Sequence, residues 1–131
     1  MNDVAINQPE VLSAVTAVFW QYERAFLGND TDTLNHLFWN NQLTVRFGIA
    51  EIQYGAEAIY RWRENWLPSF SLARSLRNLV IKTFGDAFAT ADVEFLRDNE
   101  PVGRQSQVWV KFPQGWRVVS AHVSMLETQV V

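Results

Sequence analysis

The chain has 131 residues, 48% of them hydrophobic and 14% aromatic, and carries a formal net charge of −3. That length suits one ordinary domain with a real core, and the charge gives no support to nucleic-acid binding. There are no cysteines, which excludes a disulfide framework, thiolate catalysis and cysteine-based zinc sites.

No basic segment followed by an apolar run opens the chain, so no signal peptide is expected. No apolar run approaches the ~18 residues of a membrane span. The expected location is the cytoplasm. The basic residues divide as nine Arg and two Lys. Arginine suits bidentate gripping of a planar carboxylate. The six Trp and nine Phe suggest bulky packing, an aromatic-lined cavity or a subunit interface.

Met1 to Gln8 reads as polar and loose. Pro9 fits the first turn of a helix that runs to about Leu27 and stops at Gly28-Asn29. At ~100° per residue, Val11, Val15, Val18, Phe19, Tyr22 and Phe26 share one stripe. Tyr22 lies at its centre, so its phenol points inward, either as a satisfied core hydroxyl or into a pocket. Trp20 lies off the stripe and hints at a partner subunit.

Asn29-Asp30 caps a second short helix carrying Leu34, Leu37 and Phe38. Leu43 to Phe47 reads as a strand. Arg46, between Val45 and Phe47, belongs to the solvent face unless both faces are covered; it then needs an anion. Gly48 and Gly55 punctuate the next stretch, with Glu51 between them. A third helix follows Gly55, with Ala56, Ile59, Trp62, Arg63 and Trp66 at spacings of three and four. Arg63 shares that apolar side and is read as snorkelling to the rim. Pro68 and the Ser-Phe stretch end the helix.

From Arg74 the pattern turns to strands: Leu76 to Phe84, a two-residue turn at Gly85-Asp86, Ala87 to Arg97, then Gly103 to Met125. The last stretch is a hairpin, GRQSQVWVKF-PQG-WRVVSAHVSM. A three-residue loop pairs Phe112 with Trp116, Val110 with Val118, Val108 with Ser120, Ser106 with His122, and Arg104 with Ser124. These ten side chains would share one face, apolar near the turn and polar away from it, as a small-molecule pocket requires. The expected architecture is α+β, one domain over residues 1–131, with helices packed on one face of a curved sheet.

No metal site is expected, since His36 and His122 lie on different elements without a ligand motif. No cofactor is expected either. Glu51 and Glu94 could meet only through the fold. The candidate pocket cations Arg46, Arg63 and Arg104, beside Tyr22 and His122, suit a small carboxylate-bearing anion.

The element order, with the ending GWRVVSAHVS and the helix entry YGAEAI, is similar to the nuclear-transport-factor-2-like (cystatin-like, SnoaL-like) superfamily. That implies a cone-shaped fold with three N-terminal helices on a curved antiparallel sheet. The runs YERAF, LFW, TVRFG-x-x-E-x-x-YG, FGDAFATADVEF and GRQSQVWVKFPQGWRVVSAHVS resemble the AtzH-like family, which includes oxalurate catabolism proteins. The resemblance implies a cytoplasmic protein, a homodimer, and metal-independent decarboxylating amidohydrolysis of 1,3-dicarboxyurea. A critical Tyr–Arg pair of that activity corresponds to Tyr22 and Arg46. One stretch departs: the family form FRAARP stands here as WRENWLPSF, keeping Arg63 but replacing the later Arg by Trp66.

The sequence thus points to a small hydrolase of a carboxylated urea or oxalurate-like anion. Tyr22 and Arg46 would be catalytic, with Arg63, Arg104, Ser106, His122 and Ser124 binding substrate. The alternative is a non-catalytic ligand-binding or assembly partner of an amidase, with Trp20, Trp62 and Trp66 at interfaces.

Overall fold

The computed structural model describes residues 3–68 and 71–128; Ser69 and Phe70, part of the expected helix-ending stretch, lie outside them. The elements are α1 (Pro9–Leu27), α2 (Thr31–Leu37), β1 (Val45–Phe47), β2 (Ile52–Tyr54), α3 (Ala56–Asn65), β3 (Ser75–Phe84), β4 (Phe88–Leu96), β5 (Gly103–Phe112) and β6 (Gly115–Met125). The six strands form one sheet in the order β2-β1-β6-β5-β4-β3. Every neighbouring pair is antiparallel except β1 and β6, which run parallel. No helix among the described residues is long and apolar enough to cross a membrane.

The stripe on α1 forms as its spacing dictates. Val11, Val15, Phe19 and Tyr22 are buried, and Val18 and Phe26 pack against them. They meet Ala89, Ala91 and Val93 of β4, Trp109 of β5, and Val118 and Ala121 of β6. Each large apolar side chain removed from water here contributes roughly 1.5–3 kcal/mol. Pro9 occupies the first helical turn, as expected. Asp30 caps α2 by accepting from the Thr33 backbone N–H at 3.2 Å and from its hydroxyl at 2.6 Å.

Three local expectations need correction. The start of the chain is not loose up to Gln8: the Asn7 N–H donates to the Thr83 carbonyl, and the Asn7 side chain accepts from the Thr83 N–H. The loop after β3 has three residues, because Phe84 pairs with Phe88. Leu43 is exposed and precedes the short β1.

The terminal hairpin differs more subtly. Its turn is the two-residue Pro113-Gln114, so Phe112 pairs with Gly115, Lys111 with Trp116 and Trp109 with Val118. Val119 is then extra, a bulge of one residue on β6. Past it Val108 meets Ser120, Ser106 meets His122 and Arg104 meets Ser124, as the sequence suggests. A one-residue error at the turn is cancelled by the bulge.

The face assignment is not rescued. Gln105, Gln107 and Trp109 point to the helices and are buried, so Arg104 and Ser106 point away. Ala121 points inward beside Gln107, so His122 points outward. The apolar run Val108, Val110, Phe112 belongs to the outer face and is only half-buried.

Candidate functional site

A cleft of about 260 Å³ opens between α1, α3 and the inner face of the sheet. Tyr22 and Phe26 enter from α1, Trp62 and Arg63 from α3, and Trp66 from just beyond it. Arg46 comes from β1, Glu51 from the β1–β2 turn, Arg74 from just before β3, Phe95 and Arg97 from the end of β4, and Gln105, Gln107, Ala121 and Val123 from β5 and β6. The walls are largely aromatic, and four arginines stand among the polar groups.

Tyr22 is 8% exposed and lies edge-on to Phe38 and Trp109, with ring centroids 6.1 and 6.2 Å away. The ring is core and the phenol reaches the cleft, so both readings of this residue hold in part. Arg46 stands between the half-buried Val45 and Phe47, and it lies on the inner face, because its register partner on β6 is Ala121. It meets its need for an anion locally: Nη1 donates to Glu51 Oε1 at 3.1 Å and to Gln53 Oε1 at 3.0 Å. Its guanidinium carbon lies 4.1 Å from the Trp62 ring centroid. Gly48 makes room for this pair. A Cβ there would collide with Glu51 Oε1 and crowd Arg46 Nη1.

Arg63 does not snorkel to the rim. It is 4% exposed, with Nε donating to Asn35 Oδ1 at 2.8 Å. Its Nη2 is buried without a hydrogen-bond partner among the described residues. Burial pulls its pKa down, the nearby Tyr22 phenol opposes that, and the like charge of Arg46 adds to it. The rings of Trp62 and Phe38 flank the guanidinium at 5.3 and 5.7 Å.

Three further features of the cleft went unread in the sequence. Arg74 is bound by Glu23 in a fork, Nη2–Oε1 2.6 Å and Nε–Oε2 3.1 Å, and its Nη2 also donates to Gln105 Oε1 at 3.2 Å. Phe26 and Phe95 stack against this guanidinium at 4.2 and 4.8 Å. Glu23 was detectable, being four residues beyond Phe19 and three before Phe26 on the buried side of α1. Gln107 accepts from the Trp109 indole N–H at 3.0 Å while lining the cleft. Arg97 also lines the cleft, its pKa lowered first by burial and then by the charge of Arg74.

Of the residues expected to form the site, Tyr22, Arg46 and Arg63 come together. Arg104, Ser106, His122 and Ser124 do not line this cleft; they occupy the other face of the sheet, which corrects the pocket assigned to the hairpin. His122 there lies edge-on to Phe47. Glu94 also faces outward, bonded to Arg77 and Asn78, so it does not meet Glu51. Trp62 and Trp66 stack on each other at 5.3 Å in the cleft wall, while Trp20 is exposed.

The arrangement can hold a small planar anion. Arg46 and Arg74 already have carboxylate partners, whereas Arg63 has an unused donor. Glu51 is the one carboxylate among the described lining residues, and Tyr22 the one hydroxyl.

The AtzH-like family model matches residues 4–129. A protein of unknown function from the DUF3225 family of Pectobacterium atrosepticum is 49% identical, with 93% of this chain and 95% of that one covered, at a TM-score of 0.90. A cystatin-like fold protein from Burkholderia xenovorans is 45% identical, over 95% and 98% of the two chains, also at 0.90. A nuclear-transport-factor-2-like superfamily protein from Salmonella enterica is 25% identical, over 93% and 95%, at 0.72. No curated protein matches the chain. The fold is therefore nuclear-transport-factor-2-like, and the chain belongs to the AtzH-like family.

Proposed function

We propose that this protein is a small hydrolase acting on a carboxylated urea or an oxalurate-like anion, by charge stabilisation and proton transfer from its own side chains. The observation that carries the reading is Arg63: a buried guanidinium with an orphan N–H, facing Tyr22 in a cleft of suitable size. A protein seldom buries an uncompensated cation unless something else supplies the negative charge.

In this reading the substrate carboxylate meets Arg63, and the planar urea lies along the Trp62–Trp66 wall. Arg46 faces the developing negative charge at the reacting carbon. Loss of CO₂ from an N-carboxylated urea requires a proton on the departing nitrogen, and Tyr22 is placed to position or deliver it. Amide hydrolysis requires a held water. Glu51 serves as its base, since its carboxylate lines the cleft and is fixed by Arg46 and by the Ala50 N–H at 3.1 Å. The protein is proposed to act as a cytoplasmic homodimer. Ile52 and Tyr54, exposed on the outer face, fit a covered surface in that dimer.

The stacked Trp62–Trp66 pair belongs to the cleft wall, which favours the ligand-processing reading over the assembly role that assigns both to an interface. Turnover of oxalurate by Tyr22→Phe and Glu51→Gln variants tests the chemistry. Loss of rate with unchanged thermal stability supports these roles, and rates equal to the native protein's contradict them.

A further inference from the structure

We propose that Asn35 is a positioning residue that aims Arg63 at the ligand carboxylate without neutralising it. This deepens the anion-binding half of the proposed function and does not depend on turnover.

Two neighbouring arginines show the contrast. Arg46 is bound by Glu51 and Arg74 by Glu23, each through a charged partner. Arg63 has no carboxylate within salt-bridge distance among the described residues. Its Nε donates to the side-chain carbonyl of Asn35, on α2, at 2.8 Å, and the neutral Tyr22 phenol is its other polar neighbour. That bond fixes the guanidinium plane and leaves Nη2, buried and unpartnered, as a donor for a ligand. Asn35 faces the neighbouring groove with His36 and Asn40, not the cleft, so it touches the guanidinium rather than the ligand.

The choice of amide over carboxylate is the informative feature. An aspartate in place of Asn35 would offer the same acceptor geometry and would also cancel the buried charge, which a purely structural arginine would favour. Asparagine gives orientation alone, and the charge is left for the ligand to satisfy. Trp62, which lines the cleft beside the guanidinium at 5.3 Å, offers a flat wall that suits a planar group such as a carboxylate.

The substitution Asn35→Asp separates the two roles, because it keeps the hydrogen bond and removes the net charge. The probe is N-carbamoylglycine, which carries a urea and a carboxylate, against its neutral amide, measured by titration calorimetry alongside thermal melting. The native protein binds the carboxylate more tightly than the amide. Asn35→Asp melts no lower than the native protein, yet binds the carboxylate roughly tenfold or more weakly, the scale of one charged hydrogen bond. Asn35→Ala, which loses the bond but keeps the charge, melts lower and still binds more tightly than Asn35→Asp. Between the two variants, affinity and stability therefore run in opposite orders.

If Asn35→Asp binds as well as the native protein, or better than Asn35→Ala, Asn35 is merely structural and the proposal is overturned. Oxalurate turnover by Asn35→Asp with an unchanged KM overturns it while leaving the proposed function standing. A native protein that prefers the amide overturns both. Arg63→Gln reads the anchor independently: loss of the carboxylate preference supports it, and retention of that preference overturns it.

Discussion

Glu23 and Arg74 stand 51 residues apart in sequence and meet in a forked ion pair of 2.6 and 3.1 Å, with side chains 5% and 3% exposed. The pair ties α1 to the segment entering β3 and forms one wall of the cleft. Two buried charges are tolerated here because Gln105 and the rings of Phe26 and Phe95 complete the surroundings of the guanidinium.

Removing one partner leaves the other buried and uncompensated. Glu23→Ala is therefore expected to cost about 3–5 kcal/mol, as measured by urea unfolding. Replacing both partners by apolar residues of similar volume should recover most of that loss. A Glu23→Ala variant as stable as the native chain would contradict this account of the wall.

The same substitution at two glycines is expected to act in opposite ways. A Cβ at Gly103 would fall inside the Phe95 ring, against buried atoms that cannot swing aside. Gly103→Ala should therefore destabilise by about 1–3 kcal/mol through overpacking. At Gly48 the obstacles are the flexible ends of Glu51 and Arg46. Gly48→Ala should melt close to the native temperature and lose turnover, because the ion pair is displaced from the cleft. Melting curves and oxalurate rates on both variants check the contrast.

Acid should expose the cap of α2. Hydrogen bonds from the Thr33 hydroxyl and backbone hold the Asp30 carboxyl below its ordinary value. A depressed folded pKa adds stability that is present above the ordinary carboxylate value and is lost as pH falls through the folded one. The native protein should melt above the Asp30→Asn variant at neutral pH, and the gap should close as pH is lowered below the carboxylate range. A gap independent of pH would contradict the assignment.

How far the site was legible follows from the kind of signal each residue carries. The 3.6-residue stripe placed Tyr22 inward, because a helix fixes which residues share a face. Arg46 was found with its alternative environment, since a charge on a doubly covered strand has few options. The hairpin register was read correctly beyond Val108, yet the face was reversed. Two glutamines in Gln105-Ser106-Gln107 resemble a solvent face by polarity alone, and their burial depends on Arg74 and Trp109, both outside any local pattern. The Arg63–Asn35 bond likewise spans 28 residues between two helices, so nothing in the helix spacing separates a buried arginine from a snorkelling one.

That reversal carries its own prediction. Arg104→Ala and His122→Ala, on the outer face, should change kcat/KM by no more than about twofold, within the usual effect of surface substitutions. A large loss of kcat in either variant would return the hairpin's outer residues to the chemistry.

The most direct measurement is the initial rate of product release from freshly made 1,3-dicarboxyurea, read as CO₂, and from oxalurate, read as urea or ammonia, for the native protein and for Arg46→Ala. Release above the buffer rate that disappears in Arg46→Ala is the predicted result, and it assigns the chemistry to the Tyr22–Arg46–Arg63 cleft. Release no faster than buffer from both compounds, or release untouched by Arg46→Ala, would contradict it.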